Sequence, residues 1–287
     1  RRVSGGRLAL ALPRPGLNPR PLIPPLSLHE KARSMTRRCA LVTGGSRGIG
    51  AAVATELAAA GHRVAVHCRA DSAAARDVLD ALPGTGHVLV TGDIGAPGAA
   101  REIIDAAVAG LGTVDVLVNN AGVYAEQPVA TTPYEDWQAD WRRLVDVNLL
   151  GPADLIWCLV DHLRHRLQGP QGACVVNVGS RGAYRGEPDA PAYGAAKAAL
   201  HALTQSLAQS LGPLGIAVTA VAPGFVRTDL TEPVLVGAVE EEVRSQSPLG
   251  RIAVPSDIAA AVAWLSSARA EWCSGAVLDV NGASHLR

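Results

Sequence analysis

The sequence has no net charge: 26 lysines and arginines are matched by 26 aspartates and glutamates. No global field therefore draws the chain to nucleic acid or to an anionic membrane, and a small molecule becomes the default partner. Paired-cysteine motifs are missing too. The five cysteines, Cys39, Cys68, Cys158, Cys174 and Cys273, are odd in number, widely separated and never spaced as CxxC. That pattern argues against a disulfide framework and against a zinc site, so no metal is expected and a reducing compartment, the cytoplasm, fits best. No apolar run approaches the roughly 18 residues a membrane-spanning helix needs. Beyond residue 38 there is no Pro/Gly-rich linker and no repeat of fixed period. With 287 residues and 48% hydrophobic content, one large domain over residues 39–287 is simpler than two small ones.

Residues 1–38 read differently. Pro13, Pro15, Pro19, Pro21, Pro24 and Pro25 interrupt any helix, and Glu30 is the one acid among many arginines. The stretch is expected to be a disordered extension. It is either an Arg-rich, acid-poor transit peptide, which would direct the chain to an organelle, or an upstream segment without a folded role ahead of Met35, the sole methionine.

From Cys39 onward, short β-branched runs alternate with Ala-rich stretches, the pattern of repeated βαβ units around a parallel sheet. Strands are predicted at 39–43, 63–68, 87–91, 114–119, 173–178, 216–221 and 276–280. Helices are predicted near 48–60, 71–81, 98–110, 134–167, 191–211 and 256–267. The fold class is α/β, a doubly wound and mainly parallel sheet.

The first strand runs into Thr43-Gly-Gly-Ser-Arg-Gly-Ile-Gly50, a glycine loop that opens an Ala-rich helix. Gly44, Gly48 and Gly50 let the backbone turn tightly and approach a pyrophosphate, whose charge suits the free N–H groups of a helix N-terminus. A plain tight turn is the alternative. The second strand ends Val66-His67-Cys68-Arg69 with no acid before Asp71, where NAD-binding chains place an acid for the ribose 2′-hydroxyl. Arg47 and Arg69 either clasp a 2′-phosphate, which favours NADP(H), or are solvated surface charges. Asp93, at the end of the third strand, either accepts from an adenine amino group or closes an Asx-turn. After the fourth strand, Asn119-Asn120-Ala121-Gly122 leaves room for adenosine, and an asparagine amide there can tie neighbouring backbones together.

Tyr193 and Lys197, four residues apart in an Ala-rich helix, share one face. An ammonium beside the phenol is expected to lower its pKa, although an ordinary amphipathic helix also carries such pairs. Ser180 ends the strand at 173–178 and can converge on the same carbonyl oxygen.

Together, Thr43 to Gly50, Asn119 to Gly122, Asn148, Ser180, Tyr193-x-x-x-Lys197 and Pro223-Gly224 resemble the short-chain dehydrogenase/reductase family in order and approximate spacing, over residues 39–282. The resemblance implies a seven-stranded Rossmann sheet and an oxidoreductase interconverting a carbonyl and a secondary alcohol. It implies a catalytic tetrad: Tyr193 as general acid/base, Ser180 holding the carbonyl oxygen, Lys197 on the nicotinamide ribose, and Asn148 anchoring a water. It places the cofactor against Thr43, Gly44, Ser46, Arg47, Gly48, Ile49, Gly50, Arg69, Asp93, Asn120, Ala121, Gly122, Tyr193, Lys197, Pro223, Gly224, Val226 and Thr228. A homotetramer or homodimer is implied, with the long helix near 134–167 as a contact surface; Trp137, Trp141 and Trp157 fit that surface or the core. The ending Asn281-Gly282-Ala283 departs from the family's Asp-Gly-Gly, which bears on the C-terminal edge more than on chemistry.

Substrate choice rests on the segments after Gly122, Ser180 and Gly224, with 229–250 expected to be a mobile lid. Tyr184 is a candidate lining residue; Arg181 and Arg185 either meet an anionic group or face solvent. By analogy the chain is a 3-oxoacyl-carrier-protein reductase. Against that, the helix from Leu200 to Leu211 carries no lysine or arginine to meet an acidic carrier. A reductase or dehydrogenase of free ketones, sugars or other alcohols is the alternative, and a silent NADPH-binding regulator is a third.

Overall fold

The computed structural model describes residues 38–229 and 231–287. The expected leader, residues 1–38, lies outside the described residues except for Arg38. That residue belongs to the folded body: its guanidinium donates to Ser266 O and Gly172 O, each at 2.6 Å.

In chain order the elements are β1 (Cys39–Val42), α1 (Gly48–Ala59), β2 (Arg63–Cys68), α2 (Ala73–Ala81), β3 (Val88–Thr91), α3 (Ala99–Leu111), β4 (Val116–Asn119) and α4 (Tyr134–Val145). A π-turn (Asp146–Leu150) joins α4 to α5 (Gly151–His165). There follow β5 (Cys174–Val178), a short α6 (Gly182–Arg185), α7 (Pro191–Leu211), β6 (Ala217–Pro223), α8 (Gly237–Ser245), α9 (Pro255–Leu265) and β7 (Val277–Val280). The strands form one seven-stranded sheet in the order β3-β2-β1-β4-β5-β6-β7, and every pairing is parallel. Each predicted strand appears within one or two residues of its expected ends.

Parallel strands covered on both faces must be apolar on both, and β1 shows it. Leu41 packs into one core with Ile103, Ile104, Leu155, Leu159 and Val218, contributed by α3, α5 and β6. Its neighbours Ala40 and Val42 pack into the other, with Val53 and Leu57 of α1 and Ile258 and Val262 of α9. Burying a Leu, Ile or Val side chain contributes about 1.5–3 kcal/mol, so these two layers supply most of the drive to fold.

The single helix expected over 134–167 is interrupted. Pro152 has no N–H to give to the Asn148 carbonyl four residues earlier, and the chain takes a wider π-turn over those residues, with Gly151 N–H bonded to Asp146 O. Two helices were not expected, α6 and α8. The latter is only nine residues long, mostly polar, and buries only Val243, so it offers too short an apolar pattern to be told from a loop.

All five cysteines are free thiols, four of them buried. Among the described residues there is no cluster of three or more metal-ligating side chains, and no helix long and apolar enough to cross a membrane.

Candidate active site

Chain connections leave the C-terminal ends of β1 and β4 in opposite directions, which opens a crevice at the point where the strand order reverses. The glycine loop lies at its mouth. Gly44 has φ +63°, and a Cβ there would stand 2.8 Å from Ala121 Cα. On Gly50 a Cβ would meet Gly44 O at 2.2 Å and Asn120 Nδ2 at 2.4 Å, and on Gly48, φ +53°, it would meet Thr228 Cγ2 at 3.2 Å. Gly44 and Gly50 are required by close approach of other backbone and Gly48 by the Thr228 side chain, and the tight-turn reading alone does not account for them. Helix α1 starts here with Arg47 as its N-cap residue and no capping side chain, so its first-turn N–H groups remain for an anion. Ser46 and Ile49 are half-buried, and Ile49 packs on the core beneath.

The loop is held from below. Thr43 Oγ1 accepts from the N–H groups of Asn120 and Ala121, each at 3.0 Å. Asn120 Nδ2 donates to Thr43 O at 2.8 Å and Gly44 O at 3.1 Å, the backbone-bridging role expected of an asparagine at this position. His67, which the sequence analysis did not single out, completes the frame. Its ring is 2% exposed, and Nε2 lies 2.9 Å from Gly92 O while Nδ1 faces Gly44 N–H at 3.4 Å. A neutral ring with the proton on Nε2 satisfies both contacts, and burial holds the imidazole pKa down at about 4, so that form is the one present at neutral pH. The signal was a histidine amid β-branched residues at the end of a buried strand.

Arg47 and Arg69 are both exposed. Arg47 Nε lies 4.0 Å from Asp229, a weak contact between two side chains that are each 68% exposed. Asp93 does close an Asx-turn, Oδ1 accepting from Gly95 N–H at 3.0 Å, and it pairs with Arg143 at 3.1 Å. Burial works to raise its carboxyl pKa, but the bonds from Arg143 and Gly95 and the charges of Arg143 and Arg69 outweigh it, leaving the group below its ordinary value.

Farther along the crevice, the Ser180 hydroxyl lies near enough to the Tyr193 phenol to lower its pKa, and it accepts from Gly182 N–H at 3.0 Å. Tyr124 packs edge-on against the Tyr193 ring, centroids 5.3 Å apart. Asn148 is fully buried in the π-turn, both ends of its amide tied to the Val123 backbone at 3.0 and 2.9 Å. A Cβ on Gly122 would fall 2.8 Å from Asn148 Oδ1 and 3.6 Å from Lys197 Nζ, so all three meet at one point. Lys197, 4% exposed, donates to Val178 O at 2.8 Å and stands 5.8 Å from the Tyr193 ring centroid.

One expectation needs correction. Burial raises the Tyr193 pKa above its ordinary value, with the Ser180 hydroxyl lowering it and Glu187 adding to the rise. Shared helix spacing did not make Lys197 the dominant influence on the phenol, because the Val178 carbonyl takes the ammonium. Burial lowers Lys197 itself to about 8.

At the ends of β6 and β7, Gly224 N–H bonds Val280 O at 3.3 Å, and Arg181 N–H bonds Pro223 O at 2.9 Å. Val226 bridges to Ala253, and Thr228 rests on Gly48. The segment expected to be a lid contains α8, with Arg227 paired to Glu232 at 3.1 Å and also to Glu240. Arg185 and Tyr184 are exposed. Arg181 is not, with only 4% of its surface accessible.

Residues 44–285 match the family described as Enoyl-(Acyl carrier protein) reductase. The chain is 33% identical over 251 residues to the 3-oxoacyl-[acyl-carrier-protein] reductase FabG of Staphylococcus aureus, covering 87% of this chain and 98% of that one. It is 38% identical over 251 residues to the cis-4-hydroxycyclohexanecarboxylate dehydrogenase of Sinomonas cyclohexanicum, covering 87% and 97%. Among solved structures it superimposes on the angucycline C-6 ketoreductase LanV, solved with bound NADP, with a TM-score of 0.77 at 32% identity over 86% of this chain and 95% of that one.

Proposed function

The chain belongs to the short-chain dehydrogenase/reductase family of oxidoreductases, and on that basis we propose that it is an NADP(H)-dependent enzyme interconverting a carbonyl and a secondary alcohol. Residues 39–287 would form its catalytic domain. The observation that carries the reading is the convergence at one end of the crevice: Ser180 beside Tyr193, Lys197 Nζ 5.8 Å from the Tyr193 ring centroid, and Lys197 and Asn148 meeting at Gly122.

A dinucleotide fits the residues present, since the cradle at Gly44, Gly48 and Gly50 is one that a Cβ would fill. The glycine loop with Thr43, Ser46 and Ile49 would receive the pyrophosphate, and Asn120, Ala121 and Gly122 would border the adenosine. Asp93 would accept from the adenine amino group, and Pro223, Gly224, Val226 and Thr228 would border the nicotinamide. Arg47 and Arg69, exposed and without a strong ion pair, would hold the 2′-phosphate. Bound there, the reduced nicotinamide supplies a hydride.

Tyr193, kept protonated by its surroundings, gives its proton to the substrate oxygen, and Ser180 fixes that oxygen. Lys197 replaces the proton on Tyr193 and bonds the ribose. The Asn148 carbonyl, denied an α-helical donor by Pro152, is suited to hold a water behind Lys197. The substrate is a 3-oxoacyl thioester on a carrier protein or a free ketone, sugar or other alcohol; the absence of lysine and arginine from Leu200 to Leu211 on α7 favours the free compound. A homo-oligomer buries Trp157, 63% exposed on α5, and the cytoplasm is the proposed location, with an organelle as alternative. Recording NADPH oxidation spectrophotometrically against acetoacetyl thioesters and a panel of ketones tests the reading. Cofactor binding without oxidation across the panel favours the silent regulator instead.

A further inference from the structure

Beside the catalytic serine lies a cation that the reaction above does not use. Arg181 is 96% removed from solvent in effect, at 4% exposure, yet it forms no ion pair among the described residues. Its side chain has one hydrogen bond, from NH2 to Gln246 Oε1 at 2.5 Å, and its guanidinium lies 5.4 Å from the centroid of the Phe225 ring. Burying a guanidinium with neutral partners alone is costly unless a charge is met there. Burial and the like charge of Arg185 both work against its ionised form, while Glu187 supports it.

This side chain borders a cavity of about 340 Å³ between the loop after Ser180, the loop after Gly224 and the end of β7. The other polar wall includes Ser284, whose buried Oγ has no hydrogen-bond partner, and Asn281. Two carboxylates also reach the cavity wall, Asp257 and Asp279, but each is engaged by its own arginine: Asp257 with Arg251 and Asp279 with Arg287 at 2.9 Å. The local excess is thus one guanidinium and one free hydroxyl against an aromatic face.

We propose that this cavity is an anion subsite in which Arg181 and Ser284 receive a carboxylate carried by the substrate at a distance from its carbonyl, with Phe225 covering the intervening apolar carbons. The assignment rests on the carbonyl-reductase reading above, because it places the reacting end of the same molecule at Ser180, the residue before Arg181. It makes the enzyme selective for oxo acids and hydroxy acids over their neutral counterparts. Arg181 is then a specificity-determining residue.

The test pairs a series of oxo acids, the ketone set at increasing distance along the chain from the carboxylate, against their methyl esters. Calorimetric titration of the full chain in the presence of NADPH reads binding, and NADPH oxidation reads turnover. The expected result is at least one acid bound about tenfold or more tightly than its ester, the range of a charge-assisted bond. Arg181→Met removes that preference with little change in ester affinity, and Arg181→Lys retains part of it. Acid and ester binding equally to the wild-type chain, or Arg181→Met weakening both alike, overturns the subsite. Because calorimetry does not need turnover, a preference for acids without any NADPH oxidation supports the subsite and strikes the catalytic reading alone.

Discussion

Tyr193, half-buried, and His67, buried, show how differently two titratable groups are used. The phenol is raised by burial and so stays protonated, which suits a proton donor; removing its hydroxyl removes the proton and leaves the packing against Tyr124 intact. Lys197, lowered to about 8, is a cation below that pH and neutral above it. Reduction measured as kcat/KM is therefore expected to fall as pH rises through about 8, and Lys197→Arg, which keeps its charge, should carry the fall upward. A flat profile from neutral pH to well above that point contradicts the role. His67 acts through Gly44. His67→Asn keeps an acceptor near the Nδ1 position, and His67→Leu keeps none. Leu is expected to raise KM for NADPH several-fold with kcat little changed, and Asn to recover most of the loss; equal effects from both variants would remove His67 from the account. Replacing Arg47 and Arg69 together should weaken NADPH about ten- to a thousandfold more than NADH, the range of one or two charge-assisted bonds. Equal losses in equilibrium titration with the two coenzymes would make both arginines mere surface charges. The motif residues were legible because their types and spacing are what the chemistry needs. His67 was not, and for Arg181 the choice between an anionic partner and solvent stayed open, since spacing carries no information on whether a side chain is buried or whom it meets. The phenol's direction of shift was misread for a related reason: a shared helix face does not reveal a competing carbonyl, here Val178 O.

Among elements, the glycine loop is the most constrained. Gly50→Ala would put a methyl 2.2 Å from Gly44 O and 2.4 Å from Asn120 Nδ2. The turn must open to admit it, at a cost of about 1–3 kcal/mol typical of overpacking, with NADPH affinity lost along with it. Urea unfolding and cofactor titration check both, and a variant with wild-type stability and affinity contradicts the geometry. Strands were legible throughout because the β-branched runs are short, apolar on both faces and separated by helical periodicity. The break between α4 and α5 was not, although Pro152 stands in the sequence. A proline near a helix end is compatible with a kink, a stop or a π-turn, and tertiary packing around Asn148 selects among them. Helix α8 escaped because it is only nine residues long and mostly polar, with Val243 its one buried residue.

For the whole molecule, burial of neutral histidines links folding to acid. His67 and His201, 2% and 4% exposed, are both lowered by burial to about 4 from 6.5. Between those values the unfolded chain binds protons that the folded one does not, so stability falls as pH drops from about 6.5 to about 4. The loss is on the order of 1 kcal/mol per histidine per pH unit across that window. Urea midpoints recorded at intervals from neutral pH downward should show it, with His67→Asn flattening part of the slope; acid-independent midpoints contradict the burial argument. The overall architecture was legible from composition and alternation, while substrate choice was not, since it depends on how three loops after β4, β5 and β6 meet in space.

The central claim is that Tyr193 delivers the proton when a carbonyl is reduced. It is tested most directly by single-turnover oxidation of bound NADPH in the wild-type chain and in Tyr193→Phe, with a ketone that the wild type reduces. The account predicts unchanged NADPH affinity and a rate at least about 10²-fold lower in the variant; a variant that binds NADPH and oxidises it at the wild-type rate contradicts it.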